Sequence, residues 1–346
     1  MKAVYLPGDR RVEIREVSIP EVGIGEVLIE VKASCICRSD LSLYYGRPVV
    51  GGSDAVLGTK VSGHEPAGVI AKTGPGVRKF RTGDRVAVYL AVGCGLCPYC
   101  RMGNFHLCAE WTCLGFTADG GNAEYLVVPE RNCLAIPNEM SFVAAAISTD
   151  AFGTLFSACR KLGVSGASTL GVWGLGPMGS SGILAGKALG ARVVALDPLA
   201  ERRSFAASLG ADLVLDPIDA STGEALMEFT DGVGLSAAVD CSGNAAAQNM
   251  ALDAVMRLGR VAFVGEAAET SIRPSDQLIR KQVTLIGSWY FGINEYDDIT
   301  RTIVARKIDL ERLATHRFAL EEADTAFRLF DQRKTEKAVF VMGEKE

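Results

Sequence analysis

Four of the ten cysteines lie between residues 94 and 108, in a pattern that suits a metal ion. They are Cys94, Cys97, Cys100 and Cys108, and the loop around them is rich in glycine and proline. Four thiolates form the closed tetrahedral shell of a structural zinc, which can fold a segment that has little core of its own. The spacing therefore predicts a structural zinc lobe at about 93–109. His106 is close by, but four sulfurs already complete the shell, so we expect it not to be a ligand.

Three further residues with metal-binding side chains are dispersed along the chain: Cys37, His64 and Asp150. Three protein ligands with an open fourth position are what a catalytic zinc requires. Taken singly, each also has an ordinary structural interpretation, as a buried cysteine, a core histidine and an aspartate that caps a helix. The residue types alone leave this second site open.

A glycine-rich motif, Gly-Leu-Gly-Pro-Met-Gly at residues 174–179, follows an apolar strand and precedes a helical stretch. It matches G-x-G-x-x-G, in which the glycines permit a tight turn and let backbone N–H groups approach a pyrophosphate at the helix N-terminus. The alternative is that the glycines serve only tight strand-to-helix packing. The expected cofactor contacts are Gly174, Gly176, Pro177, Met178, Gly179, Asp197, Arg202 and Val264.

Asp197 ends the next apolar stretch, 23 residues after Gly174. A carboxylate at this position accepts hydrogen bonds from the adenosine ribose and repels a 2′-phosphate, which favours NAD over NADP. Arg202 and Arg203 leave NADP open, because an arginine near the ribose can accommodate the 2′-phosphate.

The segments that must position these residues differ in their pattern of apolar, glycine and proline residues. Residues 1–150 contain short β-like runs broken by glycine and proline, at 27–31, 85–89 and 125–129, which predict a β-rich barrel or sandwich. From 151 to 290, apolar strands alternate with helical patterns, which predicts an α/β fold with a doubly wound parallel sheet. These strands are expected at 170–173, 192–196, 212–215, 237–240, 260–264 and 283–286.

The remaining segment, 291–346, has helical patterns near 295–306 and 320–331 and a strand-like run at 338–342. We expect it to return and complete the first domain.

Composition narrows the class of protein further. A chain of 346 residues with 48% apolar and 22% charged residues fits two globular domains. The net charge of −5 gives no basic excess for binding nucleic acid or anionic lipid. No secretory signal and no run of 18 apolar residues is recognised, so we expect a cytoplasmic protein with no membrane partner. In that reducing compartment cysteines bind metal or stay free.

The motifs together resemble those of a known family. Cys37-Arg38-Ser39-Asp40, Gly63-His64-Glu65, the four-cysteine lobe and the glycine motif occur in the order and at the spacings of zinc-dependent medium-chain alcohol dehydrogenases. The resemblance covers essentially the whole chain. It implies a GroES-like catalytic domain split around a Rossmann domain, with the active site in the cleft between them.

By that resemblance, Cys37, His64 and Asp150 are the ligands of a catalytic zinc, and Ser39 is the hydroxyl that takes the substrate proton. The family varies its third ligand among cysteine, aspartate and glutamate, so whether Asp150 or Glu65 completes the shell stays open.

The resemblance also implies supporting roles for nearby residues. Glu65 corresponds to an acid behind the metal that can coordinate it transiently, and Asp40 to the carboxylate that orients the ligating histidine. Arg38 matches a position where some members place a pyrophosphate-binding arginine. Ser42 departs from the family, because many relatives carry a histidine there that ends a proton relay.

An acidic third ligand is typical of secondary-alcohol, polyol and threonine dehydrogenases. We therefore expect hydride transfer from a secondary alcohol or polyol to NAD, giving a ketone, with two zinc ions per chain and a homotetramer or dimer. The alternatives are an L-threonine 3-dehydrogenase, an NADP-dependent enzyme, a zinc-free quinone or enoyl reductase, or a non-catalytic NAD-binding relative. Five aromatic residues are candidates for the substrate pocket: Tyr44, Tyr45, Trp111, Phe116 and Phe291.

Overall fold

Residues 1–47 and 57–343 are described by the computed structural model, and contacts among them divide the chain into two units. Unit 1 consists of Met1–Asp150, Gly292–Val304 and Asp309–Glu346, and unit 2 consists of Ala151–Phe291 and Ala305–Ile308.

Unit 1 is built mainly of β-strands. In chain order they are β1 (Lys2–Gly8), β2 (Arg11–Glu16), β3 (Glu26–Cys35), β4 (Glu65–Thr73), β5 (Arg85–Val88), β6 (Ala91–Val92), β7 (Thr112–Cys113), β8 (Tyr125–Pro129) and β9 (Cys133–Ala135), followed late in the chain by β16 (His316–Phe318) and β17 (Ala338–Val341). The main sheet has the order β16-β17-β3-β4-β5-β9, and β8 also pairs with β3. Its core is a cluster of aliphatic side chains centred on Val27, Ile29 and Val86.

Three strands of this sheet bring distant parts of the chain together. β17 pairs antiparallel with β3, with Val339 opposite Cys35. β3 in turn pairs antiparallel with β4, with Cys35 opposite Glu65. β17 therefore lies beside the end of β3, and the beginning of β4 lies on the other side of β3.

The helices of unit 1 are short. They are α1 (Asp40–Tyr44), α2 (Pro98–Arg101), α3 (Phe142–Ile147), most of α9 (Tyr296–Ala305) and α10 (Ala323–Asp331). α3 begins at the N-cap Ser141, whose side chain accepts a hydrogen bond from the backbone N–H of Ala144.

A π-helical turn at Ser148–Phe152 joins α3 to α4 (Gly153–Lys161). The combined stretch Phe142–Lys161 is the one helical segment of the described residues with the length and hydropathy of a membrane span. In its most apolar 18-residue window, 94% is buried inside the fold. A helix in the core of a globular protein has the same length and hydropathy.

Unit 2 contains a six-stranded sheet in which every adjacent pair is parallel. The strands are β10 (Thr169–Trp173), β11 (Arg192–Leu196), β12 (Leu213–Leu215), β13 (Leu235–Asp240), β14 (Val255–Phe263) and β15 (Thr284–Gly287). Their order is β12-β11-β10-β13-β14-β15, which is the doubly wound order of a Rossmann fold. The predicted α/β fold class is confirmed.

The helices that accompany this sheet are α4, α5 (Pro177–Ala188), α6 (Ala200–Ser208), α7 (Thr222–Phe229) and α8 (Ala245–Ala254). α5 begins after Gly176 with Pro177 in its first position, where a missing N–H costs nothing. α8 begins at Asn244, whose side chain accepts hydrogen bonds from the N–H groups of Ala246 and Ala247. Trp173, Val194 and Leu235 belong to the apolar core of this unit.

Candidate active site

Four metal-binding side chains from separate parts of unit 1 converge on one point. Cys37, His64, Glu65 and Asp150 each direct one ligand atom into a cluster whose atoms all lie within 4.8 Å of one another. Bonds from zinc to sulfur, nitrogen and oxygen are about 2.0–2.3 Å long, so ligands of one ion lie within roughly twice that distance of each other. The donor set and its spacing fit a zinc ion.

Within the cluster, Cys37 Sγ lies 3.2 Å from Asp150 Oδ2. His64 Nε2 lies 3.9 Å from Asp150 Oδ2 and also 3.9 Å from Glu65 Oε1. The hydroxyl of Ser39 is 3.4 Å from His64 Nε2, which brings a proton acceptor to the edge of the cluster. The structure thus brings together Cys37, His64 and Asp150, with Glu65 as a fourth candidate ligand.

Asp40 supports two of these side chains at once. Its Oδ1 lies 3.1 Å from His64 Nδ1, and its Oδ2 accepts a hydrogen bond of 2.8 Å from the backbone N–H of Cys37. Burial alone would lower the pKa of His64, but the Asp40 carboxylate holds that pKa well above its usual value. The contact with Nδ1 directs Nε2 toward the cluster, as in metal sites where a carboxylate orients a ligating histidine.

Asp150 reaches the cluster from the π-helical turn at Ser148–Phe152. A π-turn inserts an extra residue into a helix and re-aims its side chains, and such turns are frequent at functional sites. The hydrogen bonds of Ser148 and Thr149 to the carbonyl groups of Ala145 and Ala146 hold the start of this turn. Asp150 is therefore part of the turn and does not cap a helix.

Lys337 is a member of the site that the sequence did not reveal. It is fully buried just before β17, and its ammonium group donates a hydrogen bond to Glu65 Oε1. Burial raises the pKa of Glu65 to about 8 against the opposing effect of Lys337. Burial would lower the pKa of Lys337, but Glu65, Cys37 and Asp150 together raise it above its usual value.

No signal in the sequence singles Lys337 out, because a lysine that flanks an apolar strand is ordinarily exposed. Only the pairing of β17 with β3 and of β3 with β4 carries it to Glu65.

The four cysteines of the lobe also meet. The sulfur atoms of Cys94, Cys97, Cys100 and Cys108 form a second cluster with all distances within 4.8 Å. Cys94 Sγ and Cys100 Sγ are 3.9 Å apart, close to the separation of two ligands on a tetrahedral zinc. Hydrogen bonds from the backbone N–H groups of Leu96 and Cys97 lower the pKa of the Cys94 thiol to about 7. Such donors favour thiolate, the form that binds metal.

His106 stands apart from the lobe's sulfur cluster. It is buried, with Nδ1 3.1 Å from the hydroxyl of Tyr89, and the metal-binding group contains the four cysteines alone.

The glycine motif forms the turn between β10 and α5 in unit 2. Gly174 has φ of +82°, a conformation that favours glycine. A Cβ on Gly179 would lie 1.9 Å from the carbonyl oxygen of Gly174, so the helix can approach the turn this closely only with glycine there. Gly176 precedes Pro177 and Met178 at the start of α5, where free backbone N–H groups can bind a phosphate.

Asp197 follows β11 and is joined to this turn. Its Oδ2 accepts a hydrogen bond of 2.8 Å from the N–H of Leu175, and its Oδ1 accepts one of 2.9 Å from Leu199. Arg202 lies 3.5 Å from the same carboxylate, whereas Arg203 pairs with Asp216 at 3.0 Å. Arg202 is therefore the arginine beside the expected ribose position.

Two further predicted cofactor residues, Val264 and Arg38, lie outside the glycine turn. Val264 follows β14, and its N–H donates to the carbonyl of Asp240. Arg38 is exposed in unit 1, one residue after Cys37. Asp240 at the end of β13 is a fully buried carboxylate that accepts hydrogen bonds from Ser242, Gly243 and Gln248 and so holds the loop after this strand.

Among the candidate pocket aromatics, Phe116 lies beside the cluster, with its ring centroid 5.0 Å from that of His64. Tyr44 instead stacks on Phe327 in the core of unit 1. Phe291 is fully buried in unit 2, next to Tyr290.

Known proteins match the chain along nearly its whole length. The model of the alcohol dehydrogenase GroES-like domain matches residues 23–138, and that of the zinc-binding dehydrogenase matches residues 177–305. An uncharacterized zinc-type alcohol dehydrogenase-like protein of Escherichia coli K12 is 37% identical, over 98% of each chain. An L-threonine 3-dehydrogenase of Pyrococcus abyssi is 33% identical, over 95% of each chain.

Among solved structures, an alcohol dehydrogenase from Thermus sp. ATN1 superposes with a TM-score of 0.91, at 28% identity and with 99% of each chain covered. The chain therefore belongs to the zinc-type medium-chain alcohol dehydrogenase family, and the predicted resemblance is confirmed. It is an oxidoreductase whose relatives act on small alcohols.

Proposed function

We propose that this protein oxidises a secondary alcohol or polyol to a ketone and passes the hydride to NAD. The observation that carries the proposal is the convergence of Cys37, His64 and Asp150 beside the Ser39 hydroxyl. Three ligands leave one coordination position for a substrate oxygen. An acidic third ligand supports the secondary-alcohol and polyol branches of the family.

The protein contributes mainly positioning and proton transfer. A zinc ion bound at this cluster supplies Lewis acidity, which lowers the pKa of the substrate hydroxyl. Ser39 would relay the hydroxyl proton, since its oxygen accepts that proton while its own hydroxyl proton passes on to solvent. Asp40 holds His64 so that Nε2 faces the cluster. Because residue 42 is serine, the proton route beyond Ser39 has no imidazole at that position.

The nucleotide is held by unit 2. The turn at residues 174–179 and the N-terminus of α5 bind the pyrophosphate, and NAD supplies the hydride acceptor. Asp197 supports NAD over NADP because a carboxylate near the ribose repels a 2′-phosphate. Arg202, 3.5 Å from Asp197, keeps NADP as the second candidate.

A second candidate substrate is L-threonine, itself a secondary alcohol. The observation that favours it is the 33% identity to the Pyrococcus abyssi threonine dehydrogenase over 95% of each chain.

The test is the initial rate of NAD and NADP reduction by purified protein with polyols, diols, L-threonine and simple secondary alcohols, with zinc assayed alongside. A rate with NAD, about two zinc ions per chain and loss of activity on chelation would support the proposal. Zinc at both sites and bound NAD without turnover of any alcohol would contradict it and favour a non-catalytic NAD-binding protein.

A further inference from the structure

Tyr296 is a buried tyrosine whose hydroxyl contacts the segment that carries one of the candidate metal ligands. It is the first residue of α9, belongs to unit 1 and is 1% exposed. Its hydroxyl lies 3.2 Å from Oγ of Ser148, which is fully buried and begins the π-helical turn Ser148–Phe152. Because Asp150 belongs to that turn, the contact acts on the chain two residues before the ligand.

The hydrogen bonds of Ser148 fix which of the two hydroxyls is the donor. A serine hydroxyl has one proton, and Ser148 donates it to the carbonyl of Ala145 over 2.7 Å. Ser148 Oγ therefore accepts the proton of the Tyr296 hydroxyl. The two bonds in series join the start of α9 to the last turn of α3, across 148 residues of the chain.

The segment before Tyr296 is anchored on the turn after α2. The backbone N–H of Ile293 donates to the carbonyl of Gly103 over 2.8 Å. Gly103 has φ of +86°, and a Cβ there would lie 2.5 Å from Oδ1 of Asn294, so glycine permits this close approach. Tyr296 therefore enters α9 from a backbone that is itself held, and its hydroxyl can support another element.

The π-turn is the element that needs support. It contains one residue more than a regular helical turn. If it relaxed to a regular α-helix, the register would shift by one residue, which rotates a side chain by about 100° around the helix axis. Asp150 Oδ2 lies 3.2 Å from Cys37 Sγ and 3.9 Å from His64 Nε2, and such a rotation would carry it away from both.

We propose that Tyr296 is a positioning residue that holds the π-turn at Ser148 and so directs Asp150 toward the metal. The inference rests on the proposed function, because it requires Asp150 to be a ligand of a catalytic metal. Tyr296 acts through Ser148 alone, by its hydroxyl. Loss of that hydroxyl should weaken one ligand and leave the ring in the core of unit 1.

The experiment uses full-length protein with zinc retained in the cysteine lobe and Co²⁺ placed at the second site. Chelator competition gives the affinity for Co²⁺, and its visible d–d absorption reports the ligand geometry. The variants are Y296F, S148A and the double variant Y296F/S148A. T300V is the matched control, because Thr300 is also buried in α9 and its hydroxyl donates to the carbonyl of Tyr296 without touching Ser148.

We expect Y296F to lower the Co²⁺ affinity of the second site by about 3- to 10-fold and to change the absorption spectrum. This loss is smaller than the 10- to 100-fold typical of residues that bond a metal ligand directly. S148A should lose at least as much, and Y296F/S148A no more than S148A, because both changes remove the same contact. T300V should have the affinity and spectrum of the wild type, and every variant should keep the lobe zinc.

Wild-type affinity and spectrum in Y296F would overturn the inference, and the same result in S148A decides the matter if Y296F does not fold. Additive losses in the double variant would also overturn it, because Tyr296 would then act elsewhere. An equal loss in T300V would assign the effect to α9 as a whole and contradict the role of the hydroxyl. A wild-type protein that takes up metal only at the cysteine lobe would overturn the proposed function as well, so the two failures are distinguishable.

Discussion

The carboxylate of Asp40 makes two contacts, one with His64 Nδ1 and one with the backbone N–H of Cys37. An asparagine has a single acceptor oxygen and cannot make both contacts as acceptor. We expect D40N to lower the affinity of the second site for zinc by roughly 10- to 100-fold. Chelator competition with zinc analysis measures this loss.

The lobe zinc should remain bound in D40N, because none of the four cysteines contacts Asp40 among the described hydrogen bonds. D84N is the matched control, since Asp84 accepts its hydrogen bond from Arg81 in a turn and faces no ligand cluster. Unchanged zinc affinity in D40N would show that Asp40 does not organise the site.

The choice of nucleotide depends on Asp197. Replacing it with serine removes the charge that repels a 2′-phosphate and leaves Arg202 without its carboxylate partner. We expect D197S to lower the ratio of kcat/KM for NAD to that for NADP by about 10- to 100-fold, the value of one charge-assisted hydrogen bond. Steady-state rates with both nucleotides give the ratio.

D216S tests the same chemistry at the neighbouring arginine, because Asp216 pairs with Arg203. An NAD preference that falls equally in D216S and D197S would argue against a specific role of Asp197.

Single residues also show how far the sequence can predict the site. Cys37, His64 and Asp150 were expected to converge only because the chain resembles a family, and the structure brings them together. Lys337 could not be found, since 272 residues separate it from Glu65 and only strand pairing joins them. The second contact of Asp40, to a backbone N–H, depends on the local turn and leaves no mark in residue spacing.

At the scale of elements, the cysteine lobe has little core of its own. α2 has four residues, and the exposed side chains of the lobe include Leu96, Tyr99 and Met102. We expect C100S to reduce the zinc content from about two ions to one per chain and to open residues 93–109 to proteolysis.

The control for the lobe is C159S, which changes a buried cysteine of α4 that belongs to neither metal-binding group. It should retain both zinc ions. If C100S kept both ions and resisted protease, the lobe would not depend on metal.

The connection between β4 and β5 depends on one carboxylate. Glu130 accepts hydrogen bonds from the backbone N–H groups of Arg78, Lys79 and Phe80. Burial acts to raise the pKa of Glu130, but these three donors hold it below its usual value. We expect E130A to lower the free energy of unfolding by about 1 kcal/mol at neutral pH.

The sign of the pH dependence follows from the lowered pKa of Glu130. Its contribution is present above the pKa of the unfolded chain and is lost as the pH falls through the pKa of the folded state. The difference in Tm between wild type and E130A should therefore shrink in acid, whereas E130Q should lack this titration. If the Tm difference between wild type and E130A did not change as the pH fell through the pKa of Glu130, the assignment would be contradicted.

Elements differ in how well the sequence predicts them. The parallel strands β10, β11 and β13 of unit 2 are buried along almost their whole length, so their apolar runs mark them, as at 192–196. β14 begins at Val255, five residues before the predicted start. The sequence did not indicate this first half because exposed residues such as Arg257 interrupt its apolar run. The π-turn at Ser148–Phe152 has no sequence signature, since its residues also fit an ordinary helix.

At the scale of the whole molecule, the two proposed functions are assigned to different units. Cys37, His64 and Asp150 belong to unit 1, whereas the turn at residues 174–179 and Asp197 belong to unit 2. Each unit has its own sheet and its own apolar core, so binding of metal and binding of nucleotide should respond separately to substitution.

We therefore expect H64A to lose the second zinc and alcohol oxidation while its affinity for NADH stays within about twofold of the wild type, as for sites without shared contacts. The reciprocal variant is G179V, whose side chain would collide with the carbonyl of Gly174. It should lose NADH binding and keep both zinc ions. NADH fluorescence titration and zinc analysis on both variants separate the two functions. If H64A lost NADH binding, or G179V lost zinc, metal and nucleotide would be coupled through the fold, and the assignment of one function to each unit would be wrong.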